Sequence, residues 1–593
     1  MILTLCVAKY LLNHQQKVGH PVRNKASSAG QVVDYQLSLS PSDSVYHIRL
    51  SFKTTSKITT FHIPAWTPGY YHIEQFQKGI HHTRASFESG GTILLTHPDS
   101  RSWAFHSPIG KQVVISYEVD GTDPGLGFFG SMLNKSVGFI NGASAFMYIS
   151  GQKKLPDILH VNVPSGWQIA SALSFKNLNV FEAKMGYDEL IDSPLQLGHF
   201  VSKFFSVDGV PFRAVFVSPN QKFETNLTVL AKHLQLVSKP ALDMFQDHSF
   251  KHYTYFIHFL VGDFAGGLEH RSSTCIAIND GPNFNIDQIA AHENFHAWNV
   301  KQIRPKVLGP FHYSRPAVTG SLWFMEGVTD YYADLLTYRS GLQGQSWLIG
   351  TLANQIESLQ SMEDRKTISL EECSRKCWQS DGFSYGNLSY YTKGVVAGLI
   401  FDAAIRSYTH GRKSLDDVMR YLYEKYKLPH SGFGHHGILH AMNAVVGKPH
   451  ALDNLYYTMV ESTQGMPYDI LRSIGLEVAS GKYYPVKQDF SVANGIINFA
   501  GSHAQAAGLL LNDEVVSWRD NTWNGIASSN RHNYTVVVQR GNIKKTIKVP
   551  YLFRNTQPGW LMIDPIAAPK QLKLRQEWLR RPNPIKANSQ SPS

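Results

Sequence analysis

The sequence is short of cysteine: Cys6, Cys275, Cys373 and Cys377 are the only four in a chain of 593 residues. Of these, only Cys373 and Cys377 are close in sequence, which excludes a disulfide scaffold and fits a reducing compartment. No run approaches the roughly 20 apolar residues that cross a bilayer, so no membrane span is expected. The N-terminus reads at most as a weak export signal, a degenerate signal or an extension. The opening Met1-Ile-Leu-Thr-Leu-Cys-Val-Ala is apolar, but no basic segment precedes it, Lys9 interrupts it and no small-x-small cleavage site follows. The chain therefore reads as cytoplasmic, with a periplasmic or secreted location as the alternative. Charge is sparse too, at 17% of residues. Much of the net +11 falls in 570–586, which reads as a solvated basic tail, so no nucleic-acid partner is expected.

What is present points to a folded protein of several domains: 43% of residues are apolar, and the length exceeds what one hydrophobic core serves. No internal repeat is found. The expected class is multidomain α+β. Residues 1–31 form an N-terminal extension or a misassigned start. Residues 32–217 show period-two alternation, as in Tyr35-Gln-Leu-Ser-Leu-Ser and His47-Ile-Arg-Leu-Ser-Phe, and predict an all-β domain. Residues 218–466 are mainly helical, with amphipathic helices predicted over 225–246, 286–300, 321–339, 348–362, 390–408 and 414–426. Asn285 with Gln288 forms a loose capping pair, and Gly411 closes the helix before it.

Short strands return over 467–552, where Ile496-Ile-Asn-Phe-Ala-Gly-Ser-His-Ala-Gln-Ala-Ala-Gly-Leu resembles the core of a PDZ domain, followed by a hairpin turning at Gly541-Asn542. Residues 553–593 are read as a short helix after Pro565 and a tail without fixed structure. The apolar-Gly-apolar trio Ile474, Gly475 and Leu476 has the form of a PDZ carboxylate-binding loop, which would take a peptide C-terminus. A domain that only packs would show the same strands.

The chemistry concentrates in Ala291-His292-Glu293-Asn294-Phe295-His296, an HExxH motif in a predicted helix. Histidines at i and i+4 share one face and can reach a single zinc, while Glu293 can reach the water beside it. A third ligand is offered by Trp323-Phe-Met-Glu326-Gly, 30 positions after His296, which leaves room for a loop and an antiparallel return. Asp330, four residues further on, either accepts the free ring N–H of a metal-bound histidine or is a surface aspartate.

HExxH, the downstream Trp-x-x-Glu-Gly and the upstream Gly266-Gly267-Leu268-Glu269-His270 are together similar to the gluzincin aminopeptidases. The resemblance implies one Zn2+ per chain held by His292, His296 and Glu326, with Glu293 as general base. It also implies an edge strand carrying Gly266, Gly267 and Glu269, whose carboxylate binds the substrate's free amine. In Ser389-Tyr390-Tyr391-Thr392-Lys393-Gly394 the register assigns the oxyanion donor to Tyr391, with Tyr390 as the alternate. With Pro64-Ala-Trp66-Thr-Pro68-Gly69-Tyr70-Tyr71 and the PDZ-like segment, the chain resembles the PDZ-containing glycyl aminopeptidase family over 32–580. That family implies an N-terminal β domain, a thermolysin-like catalytic domain and a PDZ domain, acting on peptides with small N-terminal residues. Two other readings compete, a PDZ-centred binding protein with an inactive peptidase domain and a zinc endopeptidase.

Overall fold

A computed structural model of the chain describes residues 31–123, 129–218, 221–247, 250–260, 265–280, 286–479, 483–486, 490–520, 533–550, 552–555 and 560–581. The expected N-terminal extension (Gln31 apart), Asn285 with its expected cap, and the tail beyond 581 lie outside the described residues.

Alternation becomes sheet in the N-terminal domain. Strand Val45–Lys53 buries Tyr46, Ile48, Leu50 and Phe52 and turns the residues between them outward. It pairs antiparallel with Val33–Ser40 and with Gln112–Asp120 inside an eight-stranded sheet. Two four-stranded sheets complete the domain, and one core gathers Tyr35, Leu37 and Ile48 from the large sheet with Phe61 and Trp103 from a smaller one. The hairpin Val201–Val207 and Val210–Val217, expected within this domain, pairs elsewhere. Val210–Val217 lies parallel to Tyr253–Leu260, which lies parallel to Ser273–Asn279, and Gly266–Glu269 forms the outer strand of the resulting five-stranded sheet.

Helices pack against that sheet close to the expected positions. Leu227–Phe245 is capped by the Asn226 side chain, which accepts from the N–H groups of Thr228 and Val229. Gln345–Ser361 and Tyr390–Tyr408 follow, the latter closed by Gly411 at φ +82°. Leu415–Tyr426 begins with a Ser414/Asp417 capping box. One helix is shorter than expected. Asp287–Phe295 stops with His296 at its C-cap, because the Asn299 carbonyl turns back to accept from His296 Nδ1 instead of continuing the helical ladder.

The five strands Phe490–Ala493, Ile496–Ala500, Glu514–Asp520, Asn533–Arg540 and Ile543–Pro550 form an antiparallel sheet over a separate small core that includes Phe490, Ile497, Val536 and Val538. The helix Ser502–Ala506 follows the second strand. The expected carboxylate loop does not belong to this sheet. Ile474 and Leu476 are buried in the helical core, and Gly475 ends a 3-10 turn at φ +65°. Its carbonyl already accepts from Arg575 Nη1 at 2.8 Å and from the Asp564 N–H at 2.9 Å. The Gly475 N–H is also taken, by the Arg472 carbonyl at 3.0 Å, so Gly475 has no free amide donor for a peptide carboxylate, and the assignment of Ile474, Gly475 and Leu476 to that role is corrected accordingly.

The C-terminal segment returns to the catalytic domain. Leu561–Ile563 pairs with Leu476–Val478, and helix Pro569–Trp578 places fully buried Trp578 so that its Nε1 donates to Tyr331 Oη at 2.9 Å. Tyr331 donates in turn to Asp402. Trp578→Ala is expected to destabilise the catalytic domain by about 3–5 kcal/mol, the usual range for emptying a buried aromatic site. Denaturant unfolding followed by near-UV dichroism measures this; a change under 1 kcal/mol would mean the helix is only loosely docked.

Candidate metal centre

His292 and His296 sit one helical turn apart with their Nε2 atoms 2.9 Å from each other. Glu326 enters from the neighbouring helix, in a π-helical turn Trp323–Gly327 that runs on into Val328–Arg339. Its Oε2 lies 3.2 Å from His296 Nε2 and 3.7 Å from His292 Nε2. The far ring nitrogens fix the tautomers. His292 Nδ1 is 2.7 Å from Asp330 Oδ1 and His296 Nδ1 is 2.7 Å from the Asn299 carbonyl; both partners only accept, so both rings carry hydrogen on Nδ1 and turn Nε2 to the centre, where the neutral ring offers a lone pair. Two lone pairs and a carboxylate oxygen thus converge in a buried spot, an arrangement that a cation makes favourable.

The spacing fits zinc. Bonds of about 2.0–2.1 Å at tetrahedral angles place ligand atoms about 3.3–3.5 Å apart, which the observed separations bracket. Among the described residues, these three make the one group of metal-ligating side chains clustered this tightly. The electrostatics agree. Burial opposes the charged form of His292, but Asp330, Glu326 and Glu293 outweigh it and raise its pKa well above the ordinary value. Burial likewise opposes ionised Glu326, yet His296 and His292 hold it well below the usual carboxylate range.

Close backbone contact positions Glu326. A Cβ on Gly327 would lie 2.6 Å from Gly394 Cα and 2.7 Å from the Tyr390 carbonyl, and one on Gly394 would lie 2.6 Å from the Trp323 carbonyl. Glycine at both crossing points lets the helix bearing Glu326 touch the start of the helix bearing Tyr391. The Tyr391 ring lies 6.3 Å from the His292 ring, roughly parallel to it. Tyr390 is fully buried and its hydroxyl is committed to the Gly382 carbonyl at 2.5 Å, so Tyr391 is the tyrosine facing the metal ligands.

Glu293 is buried against the edge strand. Thr274 Oγ1 lies 3.2 Å from its Oε2, and a Cβ on Gly267 would overlap its carboxylate. Burial pushes the Glu293 carboxyl up to about 7; His292 and His296 pull against this, and Glu269 and Glu326 add to it. A carboxylate so poised can exchange protons near neutrality. Glu269, two residues along the strand, is 4% exposed and its Oε1 has no hydrogen-bond partner. Lys301 Nζ stands 3.8 Å from that oxygen but donates to Asp192 Oδ1 at 2.9 Å. Glu269 thus keeps one buried acceptor oxygen without a hydrogen bond.

Residues 34–199 match the peptidase M61 N-terminal domain, and residues 285–397 match the M61 glycyl aminopeptidase domain. The chain is a metallo-aminopeptidase, a hydrolase in which two segments match peptidase M61 models. No curated protein matches it in sequence. Its fold is similar to that of an aminopeptidase N family protein from Idiomarina loihiensis, at 20% identity and a TM-score of 0.72 over 92% of this chain and 100% of that one. An M1 zinc metallopeptidase from Deinococcus radiodurans shares 15% identity over 74% of this chain and 94% of that one, with a TM-score of 0.49.

In this metallo-aminopeptidase the structure brings together His292, Glu293, His296, Glu326 and Asp330, which were picked out by their spacing, and Gly267, Glu269 and Tyr391, which were named by the family resemblance; Ile474, Gly475 and Leu476, expected in a separate carboxylate loop, lie elsewhere. Gly266 opens the same strand. Sequence reasoning missed Tyr71, whose hydroxyl lies 3.2 Å from Glu326 Oε1, and the pair Asp192 and Lys301. The signal for Tyr71 was present in the Pro64 to Tyr71 motif, but spacing within one domain cannot show a contact with another. Gly267→Ala should push the Glu293 carboxylate aside and lower kcat by about 100-fold, since displacements near 1 Å carry such losses. Metal content measured beside kinetics should be unchanged; wild-type kcat in that variant would place the working base elsewhere.

Proposed function

We propose that this protein is a zinc aminopeptidase that removes small N-terminal residues, Gly or Ala, from peptides. The observation that carries the reading is the convergence of His292, His296 and Glu326 beside Glu293, with the unpaired oxygen of Glu269 next to them. One zinc per chain would be held by the three ligands, and when bound it supplies Lewis acidity toward the scissile carbonyl and the attacking water. Glu293 removes a proton from that water and delivers it to the leaving amine. Tyr391 donates its hydroxyl hydrogen to the oxyanion that develops on the carbonyl carbon's oxygen. Glu269 pairs with the substrate ammonium, and Asp330 and Asn299 keep both histidine rings in register.

The small-residue preference is supported by the glycyl aminopeptidase description of the matching domain and by a run of aromatic rings beside the site. Tyr70 stacks on Phe129 at 4.1 Å and lies 5.5 Å from Phe383, which lies 6.1 Å from Tyr391. We read this run of rings as one wall of the substrate site. The sheet over 490–550 is read as a PDZ-like module; any peptide C-terminus it takes binds away from Gly475. Buried, unbridged Cys275, Cys373 and Cys377 suit a cytoplasmic location, and no helix of the described residues is long and apolar enough to cross a membrane.

Elemental analysis should find about one zinc per chain, and Glu293→Gln should keep it while losing about 10²–10⁴-fold in kcat; loss of zinc in that variant would make Glu293 a ligand and not a base. Exopeptidase character rests on Glu269. N-acetylated peptides should be poor substrates, and Glu269→Ala should cut kcat/KM for free-amine peptides at least about tenfold while narrowing the gap to acetylated ones. Efficient internal cleavage of N-blocked peptides by the wild type would promote the endopeptidase reading instead.

A further inference from the structure

Tyr71 belongs to the N-terminal β domain, yet its hydroxyl touches a residue of the metal centre. It is 2% exposed, and its Oη lies 3.2 Å from Glu326 Oε1. The other oxygen, Oε2, is the one that faces His292 and His296. The two carboxylate oxygens are therefore divided, one toward the ligand cluster and one toward a phenol.

How Tyr71 arrives there is written in its turn. Thr67-Pro68-Gly69-Tyr70 closes with Tyr70 N–H on the Thr67 carbonyl at 3.1 Å, and Gly69 takes φ +100°, as a Pro-Gly turn of type II requires. The same glycine permits a close approach, since a Cβ on it would lie 2.5 Å from Glu269 Oε2. The Tyr71 ring then meets Trp378 of the catalytic domain edge-on at 5.8 Å, and Trp66 meets the same indole at 5.3 Å. Glu74 N–H closes the loop on the Ala65 carbonyl at 2.7 Å. Little freedom remains to Tyr71 once the two domains are seated.

We propose that Tyr71 is a positioning residue for the metal ligand Glu326: its hydrogen bond keeps the carboxylate binding through Oε2 alone, and metal retention depends on the N-terminal domain being docked. Two consequences follow from the chemistry. A hydrogen-bonded Oε1 cannot swing in to take a second coordination position, so the position needed by water and substrate stays open. A ligand oriented before the metal arrives also loses less freedom on binding it, and outer partners of this kind are worth about 10–100-fold in metal affinity. The inference rests on His292, His296 and Glu326 being the zinc site.

The test is zinc affinity of wild type and Tyr71→Phe, measured on the full chain by competition with a chromogenic chelator, with the thermal midpoint of the metal-free form recorded for each. The phenylalanine keeps the ring against Trp378 and removes only the hydroxyl. The expected result is a dissociation constant for zinc raised about 10–100-fold with the metal-free midpoint unchanged. A constant within twofold of wild type overturns the proposal, as does a metal-free midpoint that falls as far as the zinc-loaded one, because the hydroxyl would then serve the fold and not the ligand. Wild type that binds no zinc would instead defeat the metal assignment itself.

Discussion

Two imidazole nitrogens and a carboxylate oxygen held within 3.7 Å of one another, all buried, are the constraint around which the rest of the molecule is arranged. In water these groups would turn apart. In a low-dielectric interior gathering these polar groups costs several kcal/mol of desolvation unless a cation joins them, so the fold must hold the ligands in place until it does. Three local devices accomplish this. The helix bearing the histidines ends early so that the Asn299 carbonyl can hold His296. A π-helical turn aims Glu326 inward, and Asp330, on the helix that continues from it, holds His292. Gly327 and Gly394 let the neighbouring helix approach to backbone contact.

Those devices are themselves clamped from both ends of the chain. The N-terminal domain supplies the Pro68-Gly69 turn over Glu269 and Asp192, which anchors Lys301. The C-terminal helix supplies Trp578, bonded to Tyr331, the residue after the Asp330 that orients His292. Segments several hundred positions apart thus meet at one centre, and the helices between them have few ways to relax. This is the rigidity that positioned catalysis requires, since small displacements of a reacting group are costly in rate.

The parts legible in the sequence were those set by short-range spacing. Residues i and i+4 on a helix share a face whatever surrounds them, which is why His292 with His296 and Glu326 with Asp330 could be paired in advance. Alternation gave Tyr46, Ile48, Leu50 and Phe52 their buried face for the same reason. What escaped was long-range. Nothing in the hairpin over 201–217 says that it will lie beside Tyr253–Leu260 and not beside the strands preceding it. The trio Ile474, Gly475 and Leu476 carried the pattern of a ligand loop, but an apolar-Gly-apolar run equally serves a 3-10 turn closed by a left-handed glycine and packed in a core. The burial of Ile474 and Leu476 in the helical core and the bond from the Gly475 N–H to the Arg472 carbonyl decide between them.

The Glu269 neighbourhood carries the argument from structure to specificity. Lys301 lies between two carboxylates; burial works against its charge, but Asp192 and Glu269 favour it and raise its pKa. It bonds Asp192 at 2.9 Å and stands off from Glu269 at 3.8 Å, so its charge compensates the pair without filling the acceptor that Glu269 leaves open. Were Lys301 bound to Glu269 directly, an incoming ammonium would have to displace it. Were Lys301 absent, Glu269 would lose the ammonium that stands 3.8 Å from it. The observed division leaves one acceptor oxygen, desolvated and beside the metal ligands, for one ammonium group. A peptide with a free amine supplies that partner, whereas a blocked one would bury Glu269 unpaired. Under the proposed exopeptidase reading, discrimination would come from how the Glu269 carboxylate is left unsatisfied, which the fold sets through Lys301 on the turn after His296 and through Asp192 from another domain.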